Sequence, residues 1–423
     1  MEARVRAMLS RNDRPTDPHG TVEQVARASY GRLVAFLAAR SRDVAAAEDA
    51  LADAFQAALV TWAKSGVPEK PEGWLMVTAR RRLIDAARHA RVHAEAAPTL
   101  LAAAAEAQEM TEGALEFPDE RLKLLFVCAH PAIDEGVHTP LMLQTVLGLD
   151  ASRIAAAFLV QPAAMGQRLS RAKAKIRDAG VAFELPSAAQ LPQRLDAVLG
   201  AIYAAYGTGW EDVRGADRRH RYLTEEAVEL GRLLLRLMPD DPEVKGLLAL
   251  MLHCTARSAA RRSADGYYVP LAEQDTTLWS RPLIEEADEL LRAAARAGSI
   301  GRYQLEGAIQ SAHAQRAWTG RTDWESIALL YEGLVRVAPG IGALVGRAAA
   351  VAEARDAPTA WSLLQMIPAD AVASYQPYWA LAAHLLKRMG QNTQSADAYR
   401  RAIGLCEDPA LRAFLAAQVP VSA

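Results

Sequence analysis

The sequence predicts an all-α protein. Alanine dominates a hydrophobic content of 51%, aromatic residues make up only 6%, and alanine has the best intrinsic helix propensity. Runs of β-branched residues are scarce, and almost no stretch alternates apolar and polar residues between turn signals as a half-buried strand would. Apolar residues recur instead at helical spacing, between breaks marked by proline and glycine. At 423 residues the chain has room for two or three domains and a large core.

Residues 21–63 read as two helices. In the second, Val44, Leu51, Phe55, Leu59 and Trp62 form one apolar stripe. Glu48, Asp49 and Asp53 lie off that stripe and are expected to face outward. Lys64-Ser-Gly-Val-Pro-Glu-Lys-Pro71 breaks the helix, and a basic helix begins near Trp74. It carries Arg80, Arg81, Arg82, Arg88 and Arg91, with Asp85 one turn before Arg88 and able to pair with it. Residues 94–120 hold seven acids and no Lys or Arg, and read as an acidic linker. An apolar helix returns over 121–132. Ser152–Phe158 is then a short helix, Leu159–Pro162 a turn, and Ala163 to about Ala179 a longer helix, the order of a helix-turn-helix. Gln161 is a poorer N-cap than serine or threonine, and Gly166 weakens the second helix by about 1 kcal/mol relative to alanine. Beyond Pro186, helical segments continue to about Gln418, punctuated by Pro239, Pro242, Gly298, Gly320, Pro339, Pro358, Pro368 and Gly390. Their unequal recurrence resembles degenerate tetratricopeptide-type hairpins, with an irregular helical bundle as the alternative.

Charge is the functional signal. A net charge of −2 hides two basic stretches, and 168–177 contains Arg168, Arg171, Lys173, Lys175 and Arg177 without one acid. Basic faces on helices are what nucleic acid meets. Other classes find no support. Cys128, Cys254 and Cys406 are dispersed and odd in number, which fits a reducing cytosol. Met1–Gly20 has no apolar run of a signal peptide, and no window approaches 18 apolar residues. A soluble, cytoplasmic protein without membrane attachment is expected. Cys128, His130 and His138 lack the remaining ligands of a zinc site, and His89 and His93 lack the Glu and third ligand of a zinc protease. With no P-loop or G-x-S-x-G turn, no enzyme, metal or cofactor is expected.

Ala47-Glu-Asp-Ala-Leu-Ala-Asp-Ala-Phe55, Trp62, Trp74-Leu, Ala79-Arg80, Leu83-Ile-Asp85 and Arg88 together resemble region 2 of the sigma-70 family of bacterial transcription initiation factors. The extracytoplasmic-function subfamily is the nearest group. Residues 120–180 resemble region 4 of the same factors. The resemblance implies region 2 over 1–91, a linker over 92–119, region 4 over 120–180 and a helical-repeat regulatory domain over 187–420. It implies two partners, core RNA polymerase and promoter DNA, with a regulatory protein on the C-terminal repeats as a third. Glu48, Asp49 and Asp53 would dock polymerase. Trp62, Trp74, Arg80, Arg81, Arg82, Arg88 and Arg91 would serve the −10 element, where a separated strand needs cations and stacking surfaces. Gln167, Arg168 and Arg171 would reach base edges or nearby phosphates of the −35 element, with Lys173 and Lys175 on backbone phosphates. The alternative reading is a stand-alone helix-turn-helix regulator. It would bind duplex tightly without polymerase.

Overall fold

A computed structural model describes residues 17–92, 119–158, 160–187, 189–210 and 219–420. Among them the fold is all helical, with a single isolated bridge between Arg262 and Tyr268 in place of strands. The chain divides into two compact units, Met1–Ala205 and Tyr206–Ala423.

The first unit opens with α1 (Pro18–Ser41), α2 (Val44–Ser65) and α3 (Pro71–Val92). Asp17 and Asp43 start the first two by accepting hydrogen bonds from His19 N and Ala46 N, which satisfies backbone donors that a helix leaves orphaned. The three pack on one another through Leu33, Val34 and Leu37 of α1, Leu51 and Trp62 of α2, and Leu75 and Ala79 of α3. Alanines 47, 50, 54 and 58 complete the buried face of α2, and small side chains let the axes approach closely. Ser29 of α1 donates to Glu72 in the first turn of α3.

Next come α4 (Arg121–Cys128), α5 (Glu135–Thr145), α6 (Ala151–Ala157) and α7 (Pro162–Asp178). The apolar helix expected over 121–132 stops at Cys128, and α5 was not foreseen. Its start is capped by Asp134, which accepts from Gly136 N at 2.9 Å. Pro140, the sixth residue of α5, disguised it, since a proline beyond the first turn removes an intrahelical bond. The short helix and longer helix around 151–178 fall where the sequence placed them. Gln161 makes no capping bond, as its poor propensity implies. Cys128 is fully buried, its thiol 3.5 Å from the Thr145 hydroxyl, and burial pushes its pKa up to about 12. It is a core residue. His138, also buried, lies 3.1 Å from the Ile133 carbonyl through Nε2.

The chain enters the second unit along α8 (Leu191–Trp210). There follow α9 (Arg219–Leu237), α10 (Pro242–Ala256), α11 (Arg281–Ala295), α12 (Arg302–Ala314) and the single turn α13 (Arg316–Thr319). The unit closes with α14 (Trp324–Val337), α15 (Ile341–Ala354), α16 (Ala357–Gln365), α17 (Gln376–Arg388), α18 (Asn392–Gly404) and α19 (Pro409–Gln418). From α14 onward each helix packs on the next, around Ile327, Leu334, Leu364, Leu385 and Tyr399. Helices α10 and α12 cross closely, since a methyl at Gly246 would lie 2.5 Å from Gln304 N. Glu243 of α10 accepts from Tyr303 N and Gln304 N at 2.9 and 3.1 Å. A carboxylate from one helix thus caps the positive end of another.

The polar stretch 265–279 is folded onto this unit. Trp279 and Gln274 are buried. Arg316 donates to the Leu271, Ala272 and Gln274 carbonyls at 2.8–2.9 Å, and its guanidinium stands 5.1 Å from the Trp279 ring centre. Arg262 pairs with Asp408 at the start of α19, and Tyr268 meets Phe414 at 5.4 Å. These contacts make 258–280 a strap held to the last helix.

Candidate nucleic-acid interface

Helix α3 presents the first cationic surface. Arg81 and Arg82 are exposed, and Arg80 is half-buried. The side chains of Arg88 and Arg91 lie outside the described residues, as do residues 93–118 of the acidic linker. Trp62 needs a correction. Its ring is 1% exposed, so no base can stack on it. It packs edge-on against the partly exposed Trp74, with ring centres 5.5 Å apart. The apolar stripe of α2 that was read from the sequence carries Trp62 into the core along with Leu51. Of the two tryptophans, Trp74 alone keeps ring surface for an unstacked base.

The second surface is on α7. Its buried side is Met165, Leu169, Ala172, Lys173 and Ile176, and Gln167, Arg168, Arg171 and Lys175 are exposed. Arg171 donates to Gln167 at 3.3 Å. Arg168, Arg171 and Lys175, spaced by three and four, share one side of the helix. They line a groove of about 540 Å³ against Ile133, Asp134 and Val137 at the start of α5. Three cations face one carboxylate there, so the groove is electropositive.

Lys173 is the second correction. It was expected on backbone phosphates, but it points inward and pairs with Glu48 of α2, the two side chains being 11% and 15% exposed. Charge, not spacing, caused the miss. Lys173 falls one turn before Ile176 and one after Leu169, on the helix face that packs on α2. Glu48 is corrected by the same contact, since the sequence placed it on an outward face. Asp49 and Asp53 do face outward. Burial raises the Glu48 carboxyl pKa, against the lowering influence of Lys173. Arg177 of α7 adds a weaker contact, 3.7 Å from Asp43.

Two positions that sequence reasoning missed bring α1 close to the residues just after α5. At Gly31 of α1 a methyl would lie 2.0 Å from the Val146 carbonyl oxygen just after α5. The Tyr30 ring lies against Gly148, which has a positive φ of 66°, and burial together with the charge of Glu48 pushes its hydroxyl pKa up. An isolated glycine inside a helical pattern was the available signal. Among the described residues no group of His, Cys, Asp or Glu is placed to hold a metal ion. No helix among them is long and apolar enough to cross a membrane.

Comparison with known proteins bears on both units. Residues 25–92 match sigma-70 region 2. Residues 194–295, covering most of α8 through α11, match a family of unknown function, DUF6596. The chain is 36% identical over 383 residues to the "Uncharacterized protein R00370" of Rhizobium meliloti (strain 1021), across 89% of this chain and 90% of that protein. No solved structure matches.

Proposed function

Because the chain belongs to one family with the R00370 protein and carries a sigma-70 region 2 domain, we propose that it is a sigma factor of the extracytoplasmic-function group that binds core RNA polymerase and directs promoter-specific initiation. The observation that carries this reading is the region 2 match over 25–92, which coincides with the α1–α3 bundle and its exposed Arg81 and Arg82. In this reading α3, with Arg80, Arg81, Arg82 and Trp74, holds the separated strand at the −10 element. Cations hold phosphates and the open ring face takes a base. Asp49 and Asp53 dock polymerase from α2. Helix α7 is the major-groove element of a helix-turn-helix at −35, with Gln167, Arg168 and Arg171 toward the duplex and Lys175 on phosphate. Polymerase supplies the bond-forming chemistry, and the chain supplies position and charge. The second unit, a helical-repeat array in this reading, regulates the first.

Transcription reconstituted from purified core polymerase and the full chain tests this. The expected result is initiation at discrete start sites that disappears with Arg81→Ala/Arg82→Ala. Folded protein that supports no promoter-specific initiation would overturn the proposal. Tight duplex binding without polymerase, indifferent to the α3 arginines, would favour a stand-alone regulator.

A further inference from the structure

Arg257, at the end of α10, is a buried cation without an acid. The residue is 7% exposed. Its guanidinium donates to the Gln310 side-chain oxygen of α12 and stands 3.7 Å from the Cys254 sulfur. Its Nε has no hydrogen-bond partner. Arg232, Arg262 and Arg347 of the same unit are less buried, yet each pairs with a carboxylate, of Glu286, Asp408 and Glu332 in turn. A buried charge left without a counter-charge destabilises strongly, and a buried donor left unbonded adds to that. The nearby helices offer it no acid. Glu243 of α10 holds the start of α12, Glu306 of α12 pairs with Arg302 at 2.8 Å, and Asp288 of α11 accepts from the Ser311 hydroxyl at 2.7 Å.

More donors gather at the same point. His313 lies one turn after Gln310 on α12, and Arg316 opens α13. Burial, then the charges of Arg257 and Arg316, lower the His313 pKa to about 4, so both cations bear on that ring. Trp279 of the strap shares an apolar cluster with Ala256 and Ala314, the chain neighbours of Arg257 and His313. The Arg316 guanidinium stands 5.1 Å from its ring centre. Trp279 is 5% exposed, and its indole Nε1 also has no partner. Gln310, His313 and Arg316 are partly exposed, whereas Arg257 and Trp279 are buried. The group thus has a rim open to solvent and a floor of two unbonded donors. Among the described residues no carboxylate pairs with Arg257, His313 or Arg316.

We propose that Arg257, His313, Arg316 and Trp279 form a binding site for a phosphate group, free or carried by a small metabolite. Such an anion supplies what these residues lack: negative charge for two guanidinium groups, and acceptors for Arg257 Nε and Trp279 Nε1. Neutral His313 contributes one further N–H. Donors arriving from α10, α12, α13 and the strap suit a tetrahedral oxyanion better than a planar carboxylate. Arg316 also holds the Leu271, Ala272 and Gln274 carbonyls, so a bound phosphate would tie the strap to α10 and α12. The inference concerns the second unit alone and uses no part of the sigma-factor reading.

The full-length chain is titrated at constant ionic strength with inorganic phosphate, glycerol phosphate and acetate, and followed by calorimetry and by NMR of the His313 ring. Inorganic phosphate is expected to bind saturably, and to raise the His313 midpoint from about 4 by about one pH unit, because an anion beside the ring favours the imidazolium. Acetate should do neither. Arg257→Gln should weaken phosphate binding about tenfold, through loss of a charged donor. Trp279→Phe keeps a ring in the core and removes the indole N–H, and should weaken binding about threefold. It carries the test should Arg257→Gln lose its helical circular dichroism. Tighter binding of glycerol phosphate identifies an ester as the ligand, and tighter binding of inorganic phosphate the free anion; both support the site. Three results overturn it: no saturable binding of either phosphate at millimolar concentration, an equal midpoint shift with acetate, or an affinity that neither substitution lowers. Polymerase has no part in the assay, so each of these would leave the proposed function standing.

Discussion

Trp62 and Arg81 sit 19 positions apart, and their different surroundings give opposite expectations for substitution. Trp62 is sealed between the bundle helices, whereas Arg81 and Arg82 face solvent. Trp62→Ala is expected to cost about 3–5 kcal/mol of stability through the cavity it leaves. Arg81→Ala and Arg82→Ala should stay within about 0.5 kcal/mol and lower DNA affinity instead. Denaturant titration of each variant separates the two effects, and a Trp62→Ala protein of undiminished stability would contradict its place in the core. His313 makes a pH-dependent case in the second unit. Burial, with Arg257 and Arg316 nearby, lowers its pKa from 6.5 to about 4, and its ring meets Trp324 edge-on at 5.3 Å. The folded chain therefore resists a proton that the unfolded chain accepts. The contribution is fully present above pH 6.5 and is lost as pH falls toward 4, by roughly 3 kcal/mol at most. Ring-proton NMR should place the His313 midpoint near 4, and His313→Phe should flatten the difference in acid unfolding between pH 6.5 and 4. A midpoint near 6.5 would contradict the burial.

At the scale of helices, two starts are made differently and predict different substitutions. Helix α12 begins with its donors held by Glu243 from α10. Glu243→Gln keeps the shape but removes the charge, and should cost about 1 kcal/mol, the worth of a helix-terminal carboxylate. Helix α7 begins at Gln161 without a side-chain cap, and a methyl at Gly166 would meet nothing within 4 Å. Gly166→Ala should therefore stabilise it by about 1 kcal/mol. Thermal unfolding of both variants checks the opposite signs. These elements were legible from apolar spacing and from proline and glycine breaks, and an aspartate before a helix is a further local signal. Asp43, Asp150, Asp241, Asp323, Asp356 and Asp408 all accept from the first turns they precede. Helix α5, with Asp134 before it and Pro140 inside it, was not legible from apolar spacing. Of the candidate site, the exposed cations of α3 and α7 could be read from spacing. The inward turn of Lys173 was hidden by its charge, because its partner Glu48 lies 125 residues away. Its face of α7 carries Met165, Leu169 and Ile176, so spacing alone already put it on the packing side.

The whole chain is two compact units that share the helix α8, whose last turns belong to the second unit through Tyr206 and its 3.0 Å bond to the Met251 carbonyl. Each unit has its own buried side chains: Trp62, Leu51 and Leu125 in the first, Leu334, Leu385 and Tyr399 in the second. Units with separate cores open as separate cooperative blocks, and a lesion is felt within the block that contains it. Trp62→Ala should therefore speed amide exchange across α1–α3 while leaving α14–α18 near wild-type protection. Acidification through the His313 transition should loosen α12 and α14 in the wild-type chain but not in His313→Phe, with α1–α3 unaffected by that substitution. Hydrogen exchange read by mass spectrometry on the full chain reports both at once. A uniform loss of protection from Trp62→Ala would mean that one cooperative block spans both units. The second unit could then act on the first through shared stability. A loss confined to the first unit would require any regulation by the second to travel through direct contacts or partners.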